Sequence, residues 1–398
     1  MRTPLGTIIL SCLVFIALGI LTAGVGPILP DLAGNTASTL EAVGSIFTAI
    51  YLGAFLTQIA SGPLTDRLGP RPVLIAGLLM MSAGMTGITF SRNLAVMLAC
   101  GLLAGLGHGA VDISVNILSA RVFKDRSVAA VNLVNFFFGV GAVLGPAMAS
   151  YTINRWQTAI PVIWFGIGMV MIIVPFVALF LLSPQEKPIA TIQASGTPFF
   201  LSPLLLLAGL ILFLYVGAES SMGGWTATYM QETTSIPADK AALVVSGFWM
   251  ALTLGRLVGS YLGTRWMPLR LLNFCLIGAA TGGLLLALTT GAMLPTILAV
   301  LLIGFFFGPI FPTTFTISAS LFSQASGKAA GMIVALASLG GMALPPVQGV
   351  VLTRFGPNPA VWLIAVFTLL MVLINFGRNR VIQRQPPQGM AASQSTAK

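Results

Sequence analysis

Asp112 and Glu219 are the two carboxylates that fall inside long apolar runs of this 398-residue chain; every other Asp or Glu sits at the end of such a run or in a polar connection. An ionisable group at the centre of a bilayer costs roughly 2.5–3.5 kcal/mol on insertion scales, and residues kept there usually mark an ion or substrate path. Around Asp112, the residues His108, Asp112 and Asn116 recur every four positions and so share one helical face. Gly101, Gly105 and Gly109 form an adjacent strip along which another helix can approach closely. No Lys or Arg lies within two turns of Asp112, so it could take up and release a proton, with His108 as a neighbouring candidate.

Glu219 keeps different company: Tyr215, Gly217, Ser220, Ser221, Gly223, Gly224, Trp225 and Tyr229 flank it. Glycines and serines around a Glu predict a weakened or broken helix, tolerated where it lines a cavity. Trp225 and Tyr229, one turn apart, offer an aromatic face beside a carboxylate. Such a face can hold a polyol, with the rings covering C–H surfaces and the polar groups bonding hydroxyls. Tyr229 fits an interfacial aromatic belt equally well. Glu219 is therefore read as a substrate ligand and as a further proton-coupling candidate. Asn116, Asn135, Trp249 and Gln348 join Glu219, Trp225 and Tyr229 as substrate-binding candidates by their place in the apolar runs; Asn132 and Gln58 share that placement. Arg256 is expected to snorkel or to bond helix ends, because its depth is judged too different from that of Glu219 for a direct pair.

The elements that must position these residues are membrane helices. The chain is 57% hydrophobic and 7% charged, against about 25% charged in soluble domains. A span needs about 20 mostly apolar residues, which places twelve near 5–29, 40–62, 73–91, 94–120, 129–152, 158–182, 201–230, 239–262, 269–290, 293–322, 328–351 and 359–377. The fold class is an all-α polytopic membrane protein. Residues 1–182 form an N-terminal six-helix bundle, 183–200 a cytoplasmic linker, 201–378 a C-terminal six-helix bundle and 379–398 a disordered cytoplasmic tail. With this alternation, 14 of the 19 basic residues fall on the side that carries both termini, against Arg92, Arg155, Lys240 and Arg354 on the other. The positive-inside rule then puts the termini in the cytoplasm of a plasma (cell inner) membrane protein. The net charge of +10 is thus loop charge and not a nucleic-acid footprint. Three cysteines, all in apolar runs, offer no disulfide framework or metal spacing. No P-loop, metal triad or nucleophile constellation appears, so neither an enzyme nor a cofactor is expected.

The halves resemble each other at an offset of 199 residues: Gly105 and Gly109 fall on Gly304 and Gly308, Gly141 and Pro146 on Gly340 and Pro345, Gly24 on Gly223. Such a parallel repeat of six spans is the major facilitator architecture, with the substrate site between halves near the midplane. The connection after span two sharpens this. Gly62, Asp66, Arg67, Gly69 and Arg71 resemble the G-x-x-x-D-R-x-G-x-[RK] signature of the major facilitator superfamily, whose glycines allow a tight turn at a cytoplasmic gate. A degenerate copy with Gly263 in place of the acid follows span eight.

Together, the Gly105–Asn116 stretch, Leu214–Glu219, Phe248-Trp249 with Gly255-Arg256, Gly304–Pro312 and Ser338–Gly341 resemble the fucose–galactose–glucose group of proton-linked sugar symporters and its sodium-dependent glucose relatives. The resemblance implies that Asp112 serves proton coupling, and that span one departs from members carrying an acid there. The expected function is proton-coupled symport of a monosaccharide or similar polyol by alternating access, as a functional monomer whose partners are a small-molecule substrate and the lipid bilayer. It is driven by a proton gradient, with sodium as the other coupling ion. The alternative is proton-coupled efflux of a drug or metabolite: Gly141, Gly145 and Pro146 partly match the G-x-x-x-G-P element of drug antiporters, but Met148 and Ala149 stand where Gly-Gly should follow.

Overall fold

The structure, a computed structural model, describes residues 3–122, 127–181, 202–321 and 326–384. Among them run fourteen helices and no strand. The first half holds α1 (Pro4–Thr36), α2 (Leu40–Gly44), α3 (Ile46–Leu68), α4 (Pro70–Phe90), α5 (Leu94–Val122), α6 (Ser127–Trp156) and α7 (Ile160–Phe180). The second holds α8 (Pro203–Thr234), α9 (Ala238–Gly263), α10 (Pro268–Leu288), α11 (Met293–Phe307), α12 (Ile310–Leu321), α13 (Ser326–Phe355) and α14 (Pro357–Arg384). They supply 12 stretches long and apolar enough to cross a membrane. The short α2 belongs to the second span. The tenth span is broken between α11 and α12, where Pro309 has no N–H to give.

Two cores of buried side chains largely follow the halves, with Trp225, Ala242, Leu352 and Ala360 joining the first core and Ala23 and Ala142 the second. The repeat shows most clearly where helices touch backbone to backbone. A Cβ on Gly105 of α5 would sit 1.9 Å from the Ile50 carbonyl oxygen of α3, and one on its counterpart Gly304 would meet the Phe248 oxygen of α9 at 2.5 Å. Gly141 meets the Ile16 oxygen of α1 at 2.0 Å, and its counterpart Gly340 meets the Phe213 oxygen of α8 at 1.8 Å. Only residues without a side chain admit these crossings. Gly69 does a different job: at φ 84°, where other residues are strained, it turns the chain from α3 into α4.

The halves meet along two main seams, α6 against α9 and α3 against α13. Ser246 Oγ donates to the Val143 carbonyl at 2.8 Å and Thr48 Oγ1 to the Met342 carbonyl at 2.9 Å. At the end opposite the termini, Arg354 Nε and Nη2 donate to Glu41 Oε2 and Oε1 at 2.9 and 2.8 Å.

Three expectations are corrected. The helix around Glu219 is unbroken from Pro203 to Thr234. Its glycines serve packing instead, with the Leu344 side chain over Gly217, Trp249 over Gly223 and Phe47 over Gly224. The last helix continues to Arg384, so residues 379–384 extend it and are not tail. Arg378, counted among the loop charges, is fully buried. The linker at 183–200 and residues 385–398 lie outside the described residues.

Candidate functional site

The helical face read from the spacing of α5 is built as expected, and it is polar along its length. His108, Asp112 and Asn116 are half-buried, within a helix whose window reaches membrane-spanning hydropathy. They lie where α5 meets Thr22 of α1 and Asn135 of α6. Asn116 Nδ2 donates to Asp112 Oδ1 at 3.1 Å and to the Asp112 carbonyl at 2.9 Å. Asn135 Nδ2, from α6, donates to Asn116 Oδ1 at 3.1 Å. The result is a directed chain, Asn135 to Asn116 to Asp112, that ends on the carboxylate. One turn away, His108 Nδ1 lies 3.4 Å from Thr22 Oγ1 of α1. Among the described residues no Lys or Arg pairs with Asp112.

The acid of the other half does have a cation. Arg256 Nη2 of α9 lies 3.6 Å from Glu219 Oε1, overturning the expectation that the two stand at different depths. α8 extends to Thr234 and α9 begins at Ala238. Counted from that shared end, the residues lie within about three positions, or about 5 Å, of the same depth. A long Arg side chain covers that easily.

Next to Glu219, Ser220 Oγ bonds Tyr51 Oη of the first half at 2.5 Å. Two turns along α3, Gln58 Oε1 accepts from Ser338 Oγ at 2.7 Å. These bonds join the halves near mid-span and place Tyr51 and Gln58 at the same seam as the Glu219–Arg256 pair. Tyr51 was missed because a lone Tyr in an apolar run reads as packing; its ring lies over Gly341. Trp249 is 6% exposed, its ring edge-on to Phe138 of the other half, and among the described residues its Nε1 has no hydrogen-bond partner. It is a donor at the mid-span seam.

The remaining candidates are placed elsewhere. Trp225 is 0% exposed, donates its indole N–H to the Pro345 carbonyl at 2.8 Å, and packs on Gly44, Phe47 and Gly349. In this conformation it seals the seam and offers no face to a sugar. Tyr229 and Gln348 line one narrow cavity with Trp225 inside the second half. Tyr229 Oη reaches Thr290 Oγ1 at 3.5 Å, within the protein and not as a free belt residue. Of the gate motif, Gly69 and the half-buried Arg71 are placed at the α3–α4 turn. Gly62, Asp66 and Arg67 fall in the last turns of α3, and their side chains, like that of Asn132, lie outside the described residues.

This geometry is two bundles joined at a polar mid-span seam, with an acid in each. The Major Facilitator Superfamily model matches residues 9–331 and 209–396. The chain belongs to the major facilitator superfamily. It is a multi-pass membrane transporter, with the family and fold of transporters and not of enzymes, and its substrate is a small molecule. Human sodium-dependent glucose transporter 1 is 25% identical over 388 residues, covering 88% of this chain and 74% of the relative. Among solved structures, the nucleoside transporter NupG matches with TM-score 0.78 at 14% identity, covering 94% of this chain and 99% of that one. The Escherichia coli fucose:proton symporter FucP matches with TM-score 0.67 at 20% identity, covering 95% and 99%. The relatives thus include sugar transporters at low identity, and the structural likeness is one of fold.

Proposed function

We propose that this transporter carries a monosaccharide or similar polyol together with a proton, and that the two mid-span acids divide the work. The observation that carries the reading is their unequal partnering. Among the described residues the Asp112 carboxylate receives a hydrogen bond from the neutral Asn116 amide and pairs with no cation, so neutralising it takes a proton. Glu219 is already balanced by Arg256, which suits it to hold substrate hydroxyls while staying charged. Asp112 is therefore the coupling residue, with His108 beside it. Glu219 is reassigned from coupling to substrate binding, with Trp249, Asn116 and Asn135 as further polar contacts.

Alternating access follows from the seam. Tyr51–Ser220 at mid-span and Glu41–Arg354 at the end opposite the termini hold the halves together. In the other state they must part. Charge on Asp112 disfavours closing the site around it, so protonation with substrate bound permits the switch. One proton moving down 100 mV supplies about 2.3 kcal/mol, enough for about 50-fold accumulation of a neutral solute. The likeness to the human sodium-dependent glucose transporter and the fucose:proton symporter supports a sugar substrate. The human relative favours sodium as the second reading for the coupling ion.

The test is uptake into liposomes holding the purified protein, with a panel of labelled hexoses, under an imposed pH gradient and then an imposed sodium gradient. Hexose accumulation driven by pH supports the proposal. Accumulation driven by sodium alone transfers the coupling to that ion, and no hexose-dependent flux under either gradient overturns the sugar reading.

A further inference from the structure

Arg378 is the one charged side chain fully buried among the described residues. It sits near the termini end of α14, and among the described residues none of its three guanidinium nitrogens has a hydrogen-bond partner. Leaving one charge of this kind uncompensated costs several kcal/mol. Beside it, Asn375 and Asn379 of α14 both direct their Nδ2 to Asn273 Oδ1 of α10, at 2.5 and 3.3 Å. That leaves the side-chain oxygens of Asn375 and Asn379 buried and unpaired. The cluster thus holds five free donor N–H groups on a cation and two free acceptors.

The repeat has no such cluster in the first half. At the repeat offset of 199, Asn273, Asn375, Arg378 and Asn379 fall on Leu74, Phe176, Leu179 and Phe180; the same place in the first half is apolar. No Asp or Glu occurs after Asp239, so the second half beyond that residue contains no carboxylate side chain to neutralise Arg378. The acids it does contain are engaged or remote: Glu219 pairs with Arg256 at mid-span, while Glu232 and Asp239 lie at the end opposite the termini. Among the described side chains at this end of α10 and α14 the charged ones are basic: Arg265 and Arg270 are exposed before and within the start of α10, and Arg380 is exposed on α14.

We infer that Arg378, Asn273, Asn375 and Asn379 form a site between α10 and α14 for a phosphate-bearing anion that also carries hydroxyls. The phosphate oxygens accept from the guanidinium, and the hydroxyls donate to the two free Asn oxygens, so both deficits are met by one ligand. The chemistry is that of a glycerol phosphate, present either as the headgroup of an anionic phospholipid in the leaflet on the termini side or as a soluble ester. Basic pockets between membrane helices are known to take lipid headgroups in this way. The inference does not depend on which solute the transporter carries.

The test uses the full-length protein in nanodiscs, reading the thermal unfolding midpoint and, by native mass spectrometry, the lipids retained. The quantity compared is the increment between phosphatidylcholine alone and phosphatidylcholine with phosphatidylglycerol. A rise of a few degrees with retained phosphatidylglycerol is expected for the unmodified chain. Arg378→Leu, which installs the residue type of the repeat counterpart, removes that increment. If Arg378→Leu does not fold, Asn375→Gln with Asn379→Leu reduces the increment by at least half. Glycerol phosphate added to phosphatidylcholine nanodiscs separates the sources: a midpoint rise there, lost in Arg378→Leu, assigns the soluble ester. No increment in either arm for the unmodified chain, or an equal increment in the variants, overturns the site.

Discussion

Arg256 Nη2 stands 3.6 Å from Glu219 Oε1 across the α8–α9 hairpin, whereas Asp112 in the other half has an amide and, among the described residues, no cation for company. Removing either partner of the pair leaves a charge with little water around it. Glu219→Gln or Arg256→Gln is expected to lower stability by about 1–3 kcal/mol, short of the figure for a sealed pair, because the Arg256 side chain keeps 26% exposure. The double variant should unfold at a higher temperature than either single one, as followed by thermal unfolding in detergent. Equal stability of the single variants and the parent would show that the pair contributes nothing.

The amide chain feeding Asp112 makes graded predictions. Asn116→Leu deletes the direct bond to the carboxylate and should reduce proton-driven accumulation by at least about tenfold. Asn135→Leu removes only the outer link and should cost about two- to tenfold, the range of one hydrogen bond. Initial rates under a fixed pH gradient give the comparison. The reverse order of severity would mean that the chain does not act through Asp112.

Much of the fold was legible because membrane physics writes it in long words. Twelve apolar stretches, the 199-residue repeat and the close helix approach along Gly101, Gly105 and Gly109 all follow from residue type and spacing. The polar face of α5 was legible for the same reason, since a four-residue period fixes one side of a helix. The environment of Glu219 was not. Glycines read equally as a broken helix or as close packing, and only the positions of Leu344, Trp249 and Phe47 decide for packing. Depth along neighbouring helices depends on where each one ends, and a few residues of error hid the Arg256 pair. Tyr51, Ser338 and Arg378 depend on contacts between segments far apart in the chain, which single-sequence periodicity does not carry.

The contact between Glu41 and Arg354 closes the end opposite the termini, and Arg354 is largely exposed there. An exposed pair is worth at most about 1 kcal/mol, so Glu41→Gln should shift the balance between states by about two- to fivefold toward opening at that end. A cavity lined by Pro30 and Asp31 of the first half and Ala227, Gln231 and Ala242 of the second lies between the halves at that end, and alkylation of a cysteine introduced at Ala242 reports the shift. The exchange Glu41→Arg with Arg354→Glu should restore the parental rate. High salt should weaken the difference. An unchanged alkylation rate in Glu41→Gln would remove the pair from the gate.

The glycine crossings should be intolerant in both halves alike. Gly141→Ala and Gly340→Ala each force a methyl against a backbone oxygen at about van der Waals overlap, and overpacking of this kind costs about 1–3 kcal/mol or more. Gly34→Ala, with no atom within 4 Å, is the control. Folded yield on size-exclusion chromatography should fall for the first two and hold for the third. A well-folded Gly340→Ala would contradict the packing described for α13 against α8.

The division of labour between the acids is tested most directly by comparing two modes of hexose transport in liposomes holding Asp112→Asn. One mode is uptake driven by a pH gradient; the other is exchange of labelled for unlabelled hexose with no gradient. An amide stands in permanently for the protonated acid, so exchange should persist within a few-fold of the parent while gradient-driven accumulation disappears. Proton-driven accumulation that survives in Asp112→Asn would contradict the account, because the proton would then be travelling by another residue.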